Sequence, residues 1–95
     1  MNTVFISGAI SSRDYTHAFH HFARLEKRFL NSGYNVWNPM RNCNVNWSWL
    51  RCMIVCLYNL AKCDAVIFLE GWENSLGSNI EYRVAKLLGK ELIFE

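Results

Sequence analysis

Short apolar segments alternate with segments of helical periodicity along this chain of 95 residues, and this alternation restricts the fold more than any other feature. The predicted strands cover residues 3–7, 34–37, 64–69 and 91–94. The predicted helices, in which apolar side chains recur every three or four positions, cover residues 14–31, 47–62 and 79–88. Strand–helix alternation with short connections implies right-handed crossovers. We therefore expect an α/β fold, with a mostly parallel sheet and helices on both faces.

The loops between these segments are short, and the longest are predicted at residues 40–46 and 71–78. The length suits a single domain that spans residues 1–95. Hydrophobic residues make up 52% of the chain and charged residues 19%, which excludes a disordered scaffold. The apolar excess is concentrated in residues 53–58, where the predicted helix has no polar face. Because so short a chain has little core of its own, we expect this helix to pack against a second copy in a homodimer or higher homo-oligomer.

Charge and hydropathy exclude several classes of partner. The formal net charge is +2 and no basic run occurs, so we expect no nucleic-acid polymer as partner. No apolar run approaches the length of about 18 residues that a membrane span requires, so we expect no membrane association. No export signal is recognisable at Met1, and the expected location is therefore the cytoplasm.

The four cysteines, Cys43, Cys52, Cys56 and Cys63, contain no CxxC pair. A reducing cytoplasm opposes disulfides, and a thiol in an apolar helix behaves as a small hydrophobic group. We expect buried free thiols, with no metal and no cofactor. The less favoured alternative is a zinc site that is completed by the histidines at positions 17, 20 and 21.

Two loops follow the carboxyl ends of predicted strands, at residues 7–13 and 70–78, and both are rich in small and hydroxyl-bearing residues. Each leads into a helix N-terminus, where free amides and the helix dipole favour an anion. This indicates a phosphorylated or carboxylated small molecule at that edge of the sheet. Candidate ligands are Ser75 and Ser78 for a phosphate, Arg13 for an anion and Trp72 for stacking on a base. The alternatives are that the serines only cap a helix, the arginine is solvated, and the tryptophan packs on its own strand.

Glu81 is the candidate catalytic residue. It falls within the apolar arc of the third predicted helix, opposite Arg83 and Lys86, where a carboxylate is costly unless it is paired or faces a cavity. The members of that arc are Ile80, Val84, Ala85, Leu87 and Leu88. Such a carboxylate could act as a nucleophile or bind a sugar hydroxyl. The alternative is a carboxylate at the edge of the face, stabilised by the helix dipole alone.

Several segments together resemble the DUF4406 proteins of bacteriophages and prophages. They are residues 4–10 (VFISGAI), 33–39 (GYNVWNP), 63–66 (CDAV), 71–78 (GWENSLGS) and Glu81, which together extend over nearly the whole chain. This group is similar to the nucleoside 2-deoxyribosyltransferases, which include 2′-deoxynucleoside 5′-monophosphate N-hydrolases. The resemblance implies a compact Rossmann/flavodoxin-like three-layer sandwich with four or five strands, and an oligomer in the host cytoplasm.

The same resemblance implies roles for individual residues. Glu81 would attack the sugar C1′ to form a glycosyl-enzyme intermediate, and Ser75 would contact the 5′-phosphate of a nucleotide or nucleoside. The remaining substrate contacts would come from Ser7, Gly8, Ile10, Gly77 and Ser78. One departure is that Cys56 stands where many relatives have an aspartate that protonates the leaving base. Two alternatives therefore stay open: a protein that binds a nucleotide or nucleotide-derived signal without cleaving it, possibly in phage counter-defence, and a structural interaction protein.

Overall fold

The computed structural model describes residues 2–9, 15–44 and 46–95. Within these ranges four strands and four α-helices follow one another in the predicted order, except that two helices instead of one separate the second and third strands. The strands are β1 (Thr3–Ser7), β2 (Asn35–Trp37), β3 (Ala65–Phe68) and β4 (Glu91–Phe94). The helices are α1 (Tyr15–Asn31), α2 (Pro39–Asn42), α3 (Trp49–Lys62) and α4 (Leu76–Leu87).

The four strands form one parallel sheet in the order β2-β1-β3-β4. The two central strands pair in a register that places Ile6 beside Ile67 and Ser7 beside Phe68. This architecture confirms the predicted α/β fold of the Rossmann/flavodoxin-like type. The register also brings the carboxyl ends of β1 and β3 to the same edge of the sheet, where such folds bind ligands.

Alternate side chains of the central strands supply two apolar cores, one on each face of the sheet. On one face, Val4 and Ile6 pack with Phe22 and Leu25 of α1. On the other face, Phe5 and its neighbours contact α3 and α4, in a core that also includes Cys56, Leu60, Val66, Phe68 and Ala85. Because side chains alternate across a strand, both faces of β1 are buried, as its unbroken apolar sequence predicts.

The prediction of a loop at residues 40–46 is wrong at its start, because Pro39–Asn42 forms the short helix α2. Asn38 caps this helix through Oδ1, which accepts a hydrogen bond of 2.9 Å from the Met40 amide. Pro39 stands at the first helical position, where its missing N–H group costs nothing. A helix of four residues is too short to show a hydrophobic period, but the Asn-Pro pair was a signal for its start.

The prediction of a loop through residue 78 is also wrong, because α4 begins at Leu76. Gly71 adopts a left-handed conformation with φ of 88°, and a single turn of 3-10 helix follows at Trp72–Asn74. The Ser75 hydroxyl then accepts a hydrogen bond of 3.3 Å from the Ser78 amide and caps α4. As a result, Gly77 and Ser78 lie in the first helical turn.

Helix α3 begins at Trp49, two residues later than predicted, because Ser48 caps it by accepting a hydrogen bond of 3.2 Å from the Arg51 amide. Its buried side is formed by Met53, Cys56 and Leu60. A second apolar stripe on α3, spaced four residues apart, is exposed and consists of Leu50, Ile54 and Tyr58. Among the described residues, no helix has the length and hydrophobicity needed to cross a lipid bilayer.

Candidate functional site

A pocket of about 110 Å³ opens at the carboxyl edge of the sheet, between the end of β1, helix α3 and the first turns of α4. Its lining residues are Gly8, Pro39, Trp49, Cys52, Met53, Cys56, Ser75, Gly77, Ser78 and Glu81. Five of the predicted site residues, Gly8, Ser75, Gly77, Ser78 and Glu81, therefore line one cavity. Ser7 lies directly behind them.

Glu81 lies one turn into α4 on the face that packs toward the sheet, and it is 6% exposed. The buried residues of this face are Gly77, Ser78, Glu81 and Ala85. The predicted position of Glu81 on the inward arc is thus confirmed, but two other predicted members of the arc, Leu87 and Leu88, are not buried. Leu87 is 86% exposed and Leu88 49% exposed, because both lie where α4 ends and projects past the core.

The Glu81 carboxylate is held by the hydroxyl of Ser7, the last residue of β1. The Ser7 Oγ donates a hydrogen bond of 2.6 Å to Glu81 Oε1, and Ser78 Oγ lies 3.1 Å from the same Ser7 oxygen. Since a hydroxyl carries a single proton, Ser78 is the donor to Ser7 when Ser7 donates to Glu81. The two serines form a buried chain that ends on the carboxylate and fixes its orientation.

Burial raises the pKa of Glu81 to about 7. Loss of water around the carboxylate is the largest cause, and hydrogen bonds from Ser7 and Cys56 oppose it by stabilising the charged form. At neutral pH the group therefore exists in both protonation states. A carboxyl group with this property in a cleft is suited to acid–base or nucleophilic chemistry.

Two glycines permit close packing around the pocket. A Cβ atom added to Gly8 would lie 2.9 Å from Leu69 Cδ1 and 3.0 Å from Leu69 Cβ. A Cβ atom added to Gly77 would lie 3.0 Å from Met53 Sδ. Any larger residue at either position would therefore shift the pocket wall, which gives both glycines a steric reason to be present.

The N-terminus of α4 faces the pocket through Ser75, Gly77 and Ser78. The positive end of the helix dipole at this point favours a negatively charged group. Ser75 is the helix cap, and its hydroxyl also lines the cavity. The alternatives weighed for this residue, a cap and a ligand contact, are therefore compatible with each other.

Trp72 lies away from the pocket as far as the described residues define it. Its ring stacks on Tyr82 with the centroids 5.0 Å apart, and it also contacts Phe68 and Phe94. The structure thus places this residue in an aromatic cluster against β3 and β4 and not in the cavity where a base could stack. Two other predicted site residues, Ile10 and Arg13, lie outside the described ranges.

Three thiols that the sequence did not connect lie beside Glu81. Cys52 Sγ is 2.8 Å from Cys43 Sγ, and Cys56 Sγ is 3.8 Å from each of these two atoms. Cys56 lines the same pocket as Glu81. Cys63 is buried and free, but belongs to the core between α3 and the sheet. The spacing of Cys52 and Cys56 by one helical turn was the only signal for this cluster.

The fold and the pocket define an α/β protein with a buried carboxylate at the edge of a parallel sheet where the carboxyl ends of the strands lie. The family model of DUF4406, described as a domain of unknown function, matches residues 2–94. The chain belongs to the DUF4406 family.

Among solved structures, the fold of this chain is similar to the structure of a Clostridium botulinum CMP N-glycosidase, BcmB, with a TM-score of 0.68 and 22% sequence identity. The match covers 98% of this chain and 67% of the other. At this identity the likeness establishes a shared fold. A search of curated proteins returned no significant match.

Proposed function

We propose that this protein cleaves the N-glycosidic bond of a deoxynucleoside or deoxynucleoside 5′-monophosphate, with Glu81 as the nucleophile. The observation that carries the proposal is the buried Glu81 carboxylate, which faces the pocket and is oriented by Ser7 at 2.6 Å. The fold that this chain shares with a CMP N-glycosidase supports the same class of reaction.

The chemistry requires a carboxylate on one face of the sugar. In the first step, Glu81 would form a bond to C1′ while the bond from C1′ to the base nitrogen breaks. The base would leave with the bonding electron pair and take up a proton from solvent. In the second step, water would attack C1′ and break the bond from C1′ to Glu81, which releases the sugar, restores the carboxylate and returns one proton to solvent, as in retaining glycosidases.

The first turn of α4 would hold the charged end of the substrate. Its cap Ser75 and the buried Ser78 line the same cavity as Gly77. Phosphate at this point would be favoured by the helix dipole. This supports a nucleotide as substrate in preference to a neutral nucleoside.

A second copy of the chain would complete the site. A pocket of about 110 Å³ is smaller than the 300–1,000 Å³ that is common for ligand sites, so further walls are needed around a whole nucleotide. Trp49 lines the pocket and is 55% exposed, next to the exposed stripe of Leu50, Ile54 and Tyr58. A homodimer that packs along this stripe would bring partner residues to the mouth of the pocket.

The test is release of free base from a panel of ribo- and deoxyribonucleosides and their 5′-monophosphates, including CMP, measured by chromatography. We expect release from at least one deoxynucleotide, and loss of at least about a thousandfold of this rate in Glu81→Gln. Glu91→Gln is the matched control, because Glu91 is exposed at the start of β4. Absence of release from all substrates, or equal rates in wild type and Glu81→Gln, would contradict the proposal.

A second candidate function is binding of a nucleotide or nucleotide-derived signal without turnover. The place of Cys56 in the pocket that Glu81 also lines favours it, because a thiol with a pKa raised by burial is a poor donor of a proton to a leaving base. Recovery of an intact ligand after binding over hours would favour this function over the enzymatic one. The third alternative, a purely structural protein, predicts a sealed edge of the sheet and is disfavoured by the open pocket around Glu81.

A further inference from the structure

The three thiols beside the pocket come from two helices that the fold brings together. Cys43 directly follows α2 and is fixed there by a hydrogen bond of 2.9 Å from its amide to the Pro39 carbonyl. Cys52 and Cys56 lie one turn apart on α3, so that both point toward Cys43. The sulfur atoms of all three residues lie within 4.8 Å of one another.

We propose that Cys43, Cys52 and Cys56 form a binding site for a thiophilic divalent cation such as Zn²⁺, with a fourth coordination position that opens toward the pocket beside Glu81. This inference does not depend on the proposed glycosidase activity. It concerns residues to which neither the DUF4406 family description nor the resemblance assigns a metal.

The geometry of the sulfur atoms is close to what such an ion needs. Zinc binds thiolates at about 2.3 Å in tetrahedral sites, which places sulfur atoms about 3.8 Å apart. Both distances from Cys56 Sγ are 3.8 Å, and only the Cys43–Cys52 distance of 2.8 Å must lengthen. Because Cys43 and Cys52 are only half-buried, small rotations of their side chains suffice.

The fourth position is defined by the surroundings of Cys56. Cys52, Cys56 and Glu81 all line the same cavity. A bound ion would therefore have three protein thiolates and either Glu81 or an exchangeable water as its fourth ligand, which is the open arrangement of zinc sites that keep one position free. The histidines considered with the sequence are not near: His17 and His20 are exposed on α1, which packs on the opposite face of the sheet.

Occupation of this site would change the chemistry of the pocket. Zn²⁺ removes the protons from coordinating thiols, and its charge would hold Glu81 in its ionised form. If Glu81 becomes the fourth ligand, the carboxylate is no longer available to a nucleotide. Metal binding and nucleotide binding should then compete.

The test is titration of the reduced, metal-free protein with Co²⁺ in the presence of a non-thiol reductant, followed by displacement with Zn²⁺. We expect one ion per chain and the near-ultraviolet charge-transfer band of cobalt thiolates. Zn²⁺ should also protect Cys43 and Cys52 from alkylation, because these two thiols are only half-buried and can react in the metal-free protein. Binding should weaken at least tenfold in Cys43→Ser and in Cys52→Ser, while Cys63→Ser serves as the matched control and keeps wild-type affinity.

The proposal is overturned if wild type and Cys52→Ser bind Co²⁺ equally, or if Cys63→Ser loses as much affinity as the other two variants. Circular dichroism shows whether each variant is folded. Should a variant fail to fold, the alkylation pattern of the wild-type protein decides, because protection of none of the thiols by Zn²⁺ contradicts the site. Failure of these experiments leaves base release by Glu81 untouched, so the two proposals can be judged separately.

Discussion

Ser7 Oγ lies 2.6 Å from Glu81 Oε1, although 74 residues separate the two in the chain. The contact joins the end of the central strand β1 to the inward face of α4, and both residues are buried. Hydrogen bonds to a buried charge are among the stronger ones in proteins. Ser7 is therefore expected to control both the orientation and the ionisation of the carboxylate.

Replacement of Ser7 by alanine should raise the pKa of Glu81 further above its present value of about 7. A hydrogen bond to a charged group contributes roughly 1.5–3 kcal/mol, which corresponds to a rise of about 1–2 pH units. NMR titration of the Glu81 side-chain carboxyl carbon measures this directly, with or without catalytic turnover. Ser78→Ala is the control, and should cause a smaller rise because Ser78 acts on Glu81 only through Ser7. Equal titration of Glu81 in wild type and Ser7→Ala would contradict the assigned role.

The rate of base release should rise with pH through about 7, because attack on C1′ needs the ionised form of Glu81. The acidic limb of the pH profile of kcat/KM reports this ionisation in the free protein. In Ser7→Ala the same limb should move to higher pH, together with the NMR titration. A flat profile between pH 5 and 9 would show that Glu81 does not have to lose a proton.

Stability should fall as pH rises from about 4.5 to about 7, in contrast to the usual behaviour of a paired carboxylate. The folded pKa of about 7 lies above the ordinary value of 4.5, so that the native state retains a proton that the unfolded chain has already released. The stabilising contribution is complete below the lower value and is lost above the higher one, with a size on the order of 3 kcal/mol. Urea unfolding at pH 4.5 and pH 8 measures this difference. Glu81→Gln should remove most of this difference in the free energy of unfolding. If the difference is the same in Glu81→Gln and in wild type, the pH dependence comes from other groups.

Trp72 and Trp49 should respond in opposite ways to replacement by alanine. Trp72 contacts three aromatic rings, so that Trp72→Ala should lower the free energy of unfolding by about 2–4 kcal/mol while the pocket keeps its ligands. Trp49→Ala should change stability little, because the residue is 55% exposed, and should weaken ligand binding at the pocket it lines. Denaturant unfolding of both variants measures the change in stability, and nucleotide titration measures the change in affinity. Loss of binding with full stability in Trp72→Ala would restore a role in base stacking.

The chain should form a dimer at micromolar concentration through the exposed stripe of α3. The stripe consists of Leu50, Ile54 and Tyr58, which follow one another at intervals of one helical turn. Their exposed fractions are 62%, 61% and 62%. Ile54→Glu should weaken association roughly tenfold or more, since burial of such a side chain contributes about 1.5–3 kcal/mol. Light scattering gives the mass directly. Leu30→Glu on α1 is the control and should remain dimeric, whereas a wild-type monomer of 11.1 kDa would refute the prediction.

The parts of the fold that could be predicted from the sequence are those with a strong local signal. The unbroken apolar segment at β1 and the helical period around Glu81 both have a physical meaning within a window of ten residues. The same period placed Leu87 on the buried arc, and it is 86% exposed because the period cannot show where α4 leaves the core.

Features that depend on distant parts of the chain could not be predicted in this way. Trp72 lies in a loop, and its position is decided by Tyr82 and Phe94, which no local pattern connects to it. The contact of Cys43 with Cys52 depends on the short helix α2, whose four residues carry no period. For the candidate site, the sequence identified the residues at the strand ends, and the resemblance indicated Cys56 on α3. The contributions of Cys52 and Met53 to the same wall emerged only with the tertiary structure.

The strand order β2-β1-β3-β4 has a consequence for the biogenesis of the site. β1 precedes the other three described strands in the chain, yet one of its two neighbours is β3, and its last residue holds a side chain from α4. No N-terminal fragment that ends before Glu81 can contain the site, and pairings this distant in sequence form late in folding. The Ser7 hydroxyl can meet the Glu81 carboxylate only after residues 76–87 have been synthesised and have packed against β1. The complete pocket is therefore a product of the folding of the whole sheet and not of any segment that is made earlier.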